Sequence, residues 1–400
     1  MNTKKNPVAS FILGFAVMLF SGLFYAWSMF LDDLPAWSAK ATSLNFSLFI
    51  ITFCLGGLLG ARLTAKLGQP KVARIGSLLI LVGGLVFMTL PKMGMEASLV
   101  MLYLSYGVLC GVGIGMIYNA NLSSVSSLFP GKSGLISGLL LTGFGLGSLV
   151  MGKAVMSLAG AIGFYPAFLC GVVLLVVTAF LGAPLFTPAE KPAAGSAAAA
   201  PSDSVRELTT GEMIKTPMFW FFFLWVVFMT SGGLMVINRA AKIAQLFGAA
   251  AVVGMIVSVF NGVSRTFIGA FCDKFGSFVS MLLSNGVAIL AGVFMIAATF
   301  TNSTALMILG LIAAGVSYGC AMIMNAVVVR EQFGSRNYPS NLSAATLSGI
   351  PASLLGPLVS GALQDASGGA YTTTFIAMIV VSVLALAMLL GILGIRKKAK

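Results

Sequence analysis

The sequence predicts an all-α membrane protein with about twelve transmembrane helices, arranged as two bundles of six helices. Hydrophobic residues make up 58% of the 400 residues and charged residues only 8%, whereas a soluble domain carries about 25% charged residues. Apolar segments long enough to cross a bilayer follow one another along the chain. One long polar segment, residues 187–211, separates the sixth of them from the seventh.

Each predicted span contains about 20 predominantly apolar residues, the length that crosses the hydrocarbon core. The first lacks a small-residue cleavage site, so we expect it to remain as a helix and not to be removed as a signal peptide. The spans cover roughly residues 9–31, 43–63, 73–90, 98–124, 133–158, 163–186, 217–238, 248–271, 276–299, 304–329, 341–364 and 371–395.

The polar segment is rich in Ala, Pro and Ser, which is typical of a flexible linker, and it ends in a predicted short surface helix. The predicted domains are therefore an N-terminal six-helix bundle (residues 1–186), a cytoplasmic linker (residues 187–211) and a C-terminal six-helix bundle (residues 212–400).

Lysine and arginine are distributed unequally between the two sides of the predicted bundle. If the N-terminus is cytoplasmic, the opposite side receives only Lys40 and Lys92, with Arg239 and Lys242 at the outer end of the seventh span. Because cytoplasmic loops carry an excess of Lys and Arg, both termini and the linker are predicted to be cytoplasmic, in a multi-pass protein of the inner or plasma membrane. This topology explains the net charge of +13 better than nucleic-acid binding does.

The composition offers little for catalysis or metal binding. The chain contains no histidine, and its 5 cysteines lie singly in or beside apolar segments without CxxC spacing. No set of acid, base, nucleophile or metal ligands is evident within the spans. We therefore expect no metal, no cofactor and no enzymatic activity.

Arg265 is the most informative residue because it lies inside the eighth predicted span. Placing a guanidinium in hydrocarbon costs about 2.5–3.5 kcal/mol on insertion scales, so an acceptor, a water-filled cavity or a ligand must offset this cost. The 10 acidic residues lie in loops, in the linker or at span ends, which leaves Arg265 without a buried ion-pair partner. We interpret Arg265 as a carboxylate-binding group, since its paired donors match two carboxylate oxygens. The alternative is a structural arginine that bonds carbonyl groups or extends to the inner interface.

Six plus six spans with a central linker resemble the major facilitator superfamily. The segment GAFCDKFG at 269–276 is similar to that family's GxxxD(K/R)xG loop between helices 8 and 9. The resemblance implies a gating role for Gly269, Asp273 and Lys274, which stabilise one conformation through charge and helix dipole. The corresponding segment of the first half, at 60–68, carries Ala65 in place of the acid.

Within the superfamily, several segments resemble the oxalate/formate antiporter family, which is related to the monocarboxylate carriers. They are GLFYAW at 22–27, GVGIGMIY at 111–118, LFPGKSG at 128–134, GFGLG at 143–147, GEMIKTPMFW at 211–220, FNGVSR at 260–265, FGSRNY at 333–338 and LGPL at 355–358. The resemblance implies that Arg265 binds the substrate carboxylate. It also places Asn261 where proton-coupled carriers have an aspartate, and an amide cannot carry a proton; alternatively, Asn261 only bonds a neighbouring helix. The second cation of the oxalate exchangers, a lysine, falls on Gly349.

Tyr25, Trp27 and Tyr118 are candidates for lining a central cavity, where hydroxyl and indole groups can orient an anion; the alternative for each is packing or interfacial anchoring. Arg239 is a candidate for attracting anions at the cavity entrance, and the alternative is extension of its side chain to the interface.

The predicted function is secondary active transport of small organic anions, in particular monocarboxylates, by alternating access and anion exchange. The alternatives are a proton-coupled monocarboxylate symporter and a drug or amphipathic-compound exporter of the same fold. A channel would need a visible selectivity element, and a sensor would need a soluble signalling domain. The expected partners are a small anion and the lipid bilayer, with no nucleic acid, and we expect a monomer.

Overall fold

The computed structural model describes residues 6–129, 133–186, 207–334 and 337–399, and these residues form helices and connecting turns without a β-strand. Packing divides the chain into two units. Unit 1 contains Met1–Ala36 and Leu48–Ala200, and unit 2 contains Trp37–Ser47 and Pro201–Lys400. These two units differ from the predicted domains, which divide at the linker, in one segment. Trp37–Ser47 comes from the first half of the sequence but packs within unit 2.

The described residues of unit 1 form six helices that lie wholly in this unit and most of a seventh, α2, whose first turns belong to unit 2. Short 3₁₀ and π segments continue several of these helices. The helices are α1 (Pro7–Ser21), α2 (Ala39–Leu67), α3 (Gln69–Phe87), α4 (Met95–Leu102), α5 (Gly111–Ser127), α6 (Ser133–Ile162) and α7 (Phe164–Gly182), with 3₁₀ turns at Gly22–Met29, Leu90–Lys92 and Ala183–Leu185 and a π segment at Tyr103–Cys110.

The other ten helices of the described chain lie in unit 2. They are α8 (Thr210–Met213), α9 (Pro217–Ile237), α10 (Ala240–Leu246), α11 (Ile256–Phe275), α12 (Ser277–Thr301), α13 (Thr304–Phe333), α14 (Tyr338–Thr346), α15 (Gly349–Ser353), α16 (Val359–Ala366) and α17 (Thr372–Ala399), with a 3₁₀ turn at Ala251–Met255 and a π segment at Leu354–Leu358.

Twelve helical segments of the described chain are long and apolar enough to cross a membrane, six on either side of the linker. This confirms the predicted fold class and span number. Several helices expose large apolar side chains: Leu181 is 72% exposed, Phe267 70% and Phe300 81%. Such surfaces are unusual in water, and in a bilayer they face lipid tails.

The core of unit 1 is aromatic. The rings of Phe24 and Phe49 stack with centroids 5.6 Å apart, and Tyr106 packs 5.2 Å from Phe24. The Tyr106 hydroxyl donates a 2.7 Å hydrogen bond to the Phe24 carbonyl, which satisfies this polar group within the core. Phe168 lies 6.1 Å from Tyr106 and links the cluster to α7.

The core of unit 2 contains a buried hydrogen-bond network that joins three spans. Trp225 of α9 donates a 2.7 Å hydrogen bond from Nε1 to Oδ1 of Asn285 on α12. Asn285 in turn donates from Nδ2 to the Ser382 carbonyl of α17, also at 2.7 Å. Because these groups are buried, their mutual hydrogen bonds fix how α9, α12 and α17 pack.

The eleventh span is interrupted. Helix α14 ends at Thr346, α15 begins at Gly349, and a π segment with Pro357 precedes α16. Proline lacks the N–H group that an α-helix needs at this position, and π segments accommodate the missing bond. This span is therefore a series of short helices and not one continuous rod.

The linker lies outside the described residues up to position 206, and its last residues pack in unit 2. Thr209 caps α8, and its side chain and backbone form a reciprocal capping box with Glu212. The side chain of Asn341 donates a 3.0 Å hydrogen bond to the Leu208 carbonyl. The predicted short helix at the end of the linker corresponds to Thr210–Met213.

Candidate functional site

Arg265 lies near the middle of α11, and its side chain is 6% exposed. The same face of the helix carries two other buried polar side chains, Asn261 at 2% exposure and Ser264 at 5%. Phe267, about 200° further around the helix, is 70% exposed. One face of α11 is therefore polar and buried while the opposite face is apolar and exposed.

The side chains of Arg265 and Asn261 form a direct hydrogen bond. An Nη2 donor of Arg265 reaches Oδ1 of Asn261 at 3.1 Å, one helical turn earlier. Among the residues that the structure describes, the buried Nε atom of Arg265 has no hydrogen-bond partner. A guanidinium carries five N–H donors, and an amide oxygen accepts from it without neutralising its charge. The arrangement can therefore bind an anion through the donors that Asn261 leaves free.

Buried charge in the described part of the chain is all positive. The buried charged side chains there are Arg239 and Arg265, at 5% and 6% exposure. The acid Glu331 falls in the last turn of α13, and Asp365 is the penultimate residue of α16. Both carboxylates therefore lie at helix ends, in agreement with the position of acidic residues in the sequence.

Tyr25 and Tyr118 belong to one aromatic group in unit 1. Both pack edge-on against Phe144, with ring centroids 5.1 Å and 5.6 Å away, and Phe53 lies 5.0 Å from Tyr118. The structure thus brings these two predicted site residues together and adds Phe53 and Phe144 to them. Sequence reasoning missed the two phenylalanines because an aromatic residue in an apolar span carries no distinguishing pattern.

Trp27 is placed elsewhere in unit 1. Its side chain is 1% exposed, and its ring centroid lies 4.8 Å from Tyr106 in the aromatic core. The indole Nε1 is buried and has no hydrogen-bond partner within the described ranges. This placement favours the packing alternative for Trp27.

Gly269 and Lys274, two of the predicted gating residues, lie toward the end of α11. A Cβ atom at Gly269 would meet no atom of the described residues within 4 Å, and the ammonium of Lys274 lies 5.3 Å from the Phe275 ring centroid. The helix ends at Gly276, whose φ of 84° is a conformation that glycine adopts without strain. The side chain of Asp273, the third gating residue, lies outside the described residues.

Arg239 precedes α10 and forms a buried cluster with the first turns of α2. Its Nη2 donates to the hydroxyl groups of Thr42 at 2.8 Å and Ser43 at 2.9 Å, and to the carbonyl of Ala39. The neighbouring Asn238 donates from Nδ2 to Ser43 at 2.7 Å. Arg239 is 5% exposed, so its guanidinium does not extend to an interface as the alternative interpretation required.

Asp365 and Tyr371 lie close to this cluster. Oδ1 and Oδ2 of Asp365 accept the backbone N–H groups of Ala39 and Lys40 at 3.0 Å and 2.8 Å, and so cap the start of α2. Burial lowers the pKa of the Arg239 guanidinium, while Tyr371 and Asp365 raise it. An arginine stays charged in proteins despite such shifts, so the cluster holds a buried positive charge.

The chain matches the profile of the Major Facilitator Superfamily over residues 9–350 and 240–400, two overlapping regions that together extend to the last residue. The chain belongs to the Major Facilitator Superfamily. It is therefore a multi-pass membrane transporter with the all-α fold of that superfamily.

Relatives of this facilitator-superfamily protein include named carriers of organic anions. The oxalate:formate antiporter of Oxalobacter formigenes is 26% identical over 400 aligned residues, which cover 94% of this chain and 90% of the antiporter. The uncharacterised MFS-type transporter YhjX of Escherichia coli is 28% identical over 80% of this chain and 79% of its own. Monocarboxylate transporter 13 of Rattus norvegicus is 30% identical over 34% of this chain and 30% of its own. The resemblance inferred from sequence segments is confirmed.

Proposed function

We propose that this protein is a secondary transporter of small monocarboxylates, that it works by alternating access, and that it exchanges one anion for another. The observation that carries the proposal is the Arg265 site. Its guanidinium is 6% exposed within a span, has an amide as its hydrogen-bond partner and finds no partner for Nε in the described part of the chain. An unneutralised charge at this depth is a functional site by default in a membrane protein.

A carboxylate is the ligand that best fits this site. It supplies both the negative charge and the two acceptor oxygens that a guanidinium binds. The oxalate:formate antiporter and monocarboxylate transporter 13 are named for carboxylate substrates, which supports the same chemical class here. We propose that Tyr25 and Tyr118 also contact the substrate.

The proposed preference for a monocarboxylate follows from the number of cationic side chains in the proposed binding site. By the resemblance to the oxalate/formate antiporter family, the place of that family's second cation falls on Gly349, the first residue of α15. A dicarboxylate held by Arg265 alone would leave its other carboxylate desolvated without a partner, which costs several kcal/mol in order of magnitude. One guanidinium is matched to one carboxylate.

The proposal of exchange rests on the sign of the buried charge. Without a substrate, the site keeps the charge of Arg265, and the sequence has no histidine to compensate by changing its protonation. Moving an empty cationic site through an occluded state is unfavourable, so the anion-loaded form moves more readily. Proton symport is the alternative, in which the substrate itself brings the proton.

Membrane orientation is part of the proposal, with both termini and the linker in the cytoplasm of a monomeric protein of the cell membrane. A single cysteine at Ser196, in a background without native cysteines, should react with a membrane-impermeant maleimide only after the cells are opened. Labelling of Ser196→Cys in intact cells would contradict this orientation.

Proteoliposome flux tests the function. Vesicles loaded with formate, acetate or lactate should take up the same labelled anions, vesicles loaded with oxalate should take up labelled oxalate less well, and vesicles without internal anion should take up little. Arg265→Ala should abolish uptake and Arg265→Lys should impair it severely, because lysine keeps the charge but loses the fork of donors. Arg74→Ala is the matched control, since Arg74 is exposed at the start of α3.

Two outcomes would overturn parts of the proposal. Near-normal uptake by Arg265→Ala would remove Arg265 from the binding site. Strong concentrative uptake into anion-free vesicles under a pH gradient, lost when the gradient is dissipated, would replace exchange with proton symport.

A further inference from the structure

We infer that Gly315 and Gly319 of α13 are positioning residues for the Arg265 site. This inference rests on the proposed function, because it explains how the binding geometry of Arg265 is maintained. Neither glycine contacts a substrate in this account. Both act through the backbone of Asn261, the residue whose side chain accepts the hydrogen bond of Arg265.

The two glycines lie one helical turn apart and meet the backbone of α11 at close range. A Cβ atom at Gly319 would overlap Oγ of Ser264 and the carbonyl oxygen of Asn261. A Cβ atom at Gly315 would overlap the carbonyl oxygen of Val257 and lie 3.1 Å from the Asn261 nitrogen. Any larger residue at either position would therefore push against α11 beside Asn261.

This contact differs from ordinary helix packing because the obstructing atoms include backbone atoms, which cannot rotate away as a side chain can. Val257 and Asn261 present carbonyl oxygens, which move only with the helix backbone. Ser264 donates from Oγ to the Asn261 carbonyl at 3.3 Å, so its hydroxyl is engaged at the same point. A methyl group on α13 is accommodated only if α11 shifts or rotates.

A shift of α11 at Asn261 would also displace Arg265, which lies one helical turn further along the same helix. A binding site needs its groups within about 0.5 Å and 10–20° of the productive geometry, and a misplacement of about 1 Å can cost roughly 100-fold in rate. The close approach that glycine permits thus fixes the position of Asn261, and through it the direction in which the guanidinium presents its donors.

Gly310 provides a matched control on the same helix. A Cβ atom at Gly310 would meet Cγ, Sδ and Cε of Met295 at 2.8, 2.9 and 3.1 Å. These atoms belong to a flexible side chain on α12 and can move by rotamer changes. Gly310→Ala should therefore leave α11 in place.

The experiment compares Gly319→Ala, Gly315→Ala and Gly310→Ala in proteoliposomes with labelled formate. Gly319→Ala should raise the half-saturation concentration about 10-fold or more, scaled from the cost of misplacement, and should lower the maximal rate less. Gly315→Ala should act in the same direction, and Gly310→Ala should change the half-saturation concentration less than about 2-fold. Thermal unfolding in detergent should show that the variants compared are folded.

A double variant separates positioning from general loosening of the structure. If Gly319 acts through Asn261, the Gly319→Ala change should raise the half-saturation concentration less in an Asn261→Ala background than in the native protein. If Gly319→Ala raised the half-saturation concentration by the same factor in both backgrounds, the two residues would act independently and the inference would be overturned. An unchanged half-saturation concentration in folded Gly319→Ala would also overturn it, as would failure of both Gly315→Ala and Gly319→Ala to fold, because the glycines would then serve helix packing as a whole.

These outcomes are distinguishable from failure of the proposed function. Normal transport by Arg265→Ala would reject the function itself, whatever the glycine variants do. Loss of transport in Arg265→Ala together with normal kinetics in Gly319→Ala would reject only the positioning role.

Discussion

The guanidinium of Arg239 donates a 2.8 Å hydrogen bond to the hydroxyl of Thr42, a residue 197 positions earlier in the chain. With the Asp365 cap, this bond holds the first turns of α2 in unit 2, whereas α2 from Leu48 onward belongs to unit 1. One continuous helix therefore belongs to both units. Because these bonds fix the first turns of α2 within unit 2, we expect the Arg239 cluster to stabilise one state of the transport cycle.

Removing the charge of Arg239 should destabilise that state. A buried hydrogen bond to a charged group contributes about 1.5–3 kcal/mol, which corresponds to roughly a 10–100-fold change in population. Ser360 is a suitable reporter because it is 1% exposed and its hydroxyl has no hydrogen-bond partner among the residues described. Arg239→Gln should accelerate labelling of Ser360→Cys by a membrane-impermeant maleimide about 10-fold or more.

The matched control for this measurement is Lys92→Gln. Lys92 is exposed and lies on the same predicted side of the membrane, so this variant removes a positive charge without touching the cluster. Labelling should stay at the native rate in the control. Equal labelling in Arg239→Gln and the native protein would show that the cluster does not control exposure of this region.

Asn261→Asp should make transport depend on pH. The new carboxylate would lie 3.1 Å from Nη2 of Arg265 and compete with the substrate anion for the guanidinium. Formate exchange should therefore be weak at neutral pH and should recover as the pH falls, since protonation of the carboxylate ends the competition. Asn261→Leu, which cannot titrate, is the control. A variant as active at neutral pH as the native protein would contradict direct competition.

Gly349→Lys should shift anion preference toward oxalate. The half-buried Gly349 begins α15, and a lysine there would supply the second cation that the resembling family uses. The measurement is competition of unlabelled oxalate and formate against labelled formate uptake, with Gly349→Met as an uncharged control of similar length. If the native protein already prefers oxalate to every monocarboxylate, the argument from position 349 is wrong.

Trp225→Phe should lower the thermal stability of the protein. The substitution leaves Oδ1 of Asn285 without the 2.7 Å hydrogen bond from the indole, and a buried unsatisfied acceptor costs about 1–3 kcal/mol. The control is Trp220→Phe, because Trp220 is 51% exposed and its indole donates a hydrogen bond to the carbonyl of Ile214, which precedes α9. Thermal unfolding of the two variants in detergent should give the lower midpoint for Trp225→Phe. Equal midpoints would mean that the hydrogen-bond network between α9, α12 and α17 contributes little to thermal stability.

The spans were predictable because the cost of burying polar groups in lipid acts on each segment separately. Arg265 stood out for the same reason, as a charge inside an apolar segment. Phe53 and Phe144 did not, because their role depends on meeting Tyr25 and Tyr118 from other helices. The role assigned to Gly319 likewise depends on Asn261, 58 positions away by their residue numbers.

By itself the sequence determined that the protein crosses the membrane about twelve times and which charge lies within a span. Each of these follows from local hydropathy, since about 20 apolar residues suffice to cross a bilayer whatever surrounds them. The tertiary structure decided that Arg239 is buried against Thr42 and Ser43, that Trp27 lies in an aromatic core and that α13 meets α11 at Asn261. These depend on contacts between residues far apart in the chain, whose free energies arise only when helices pack.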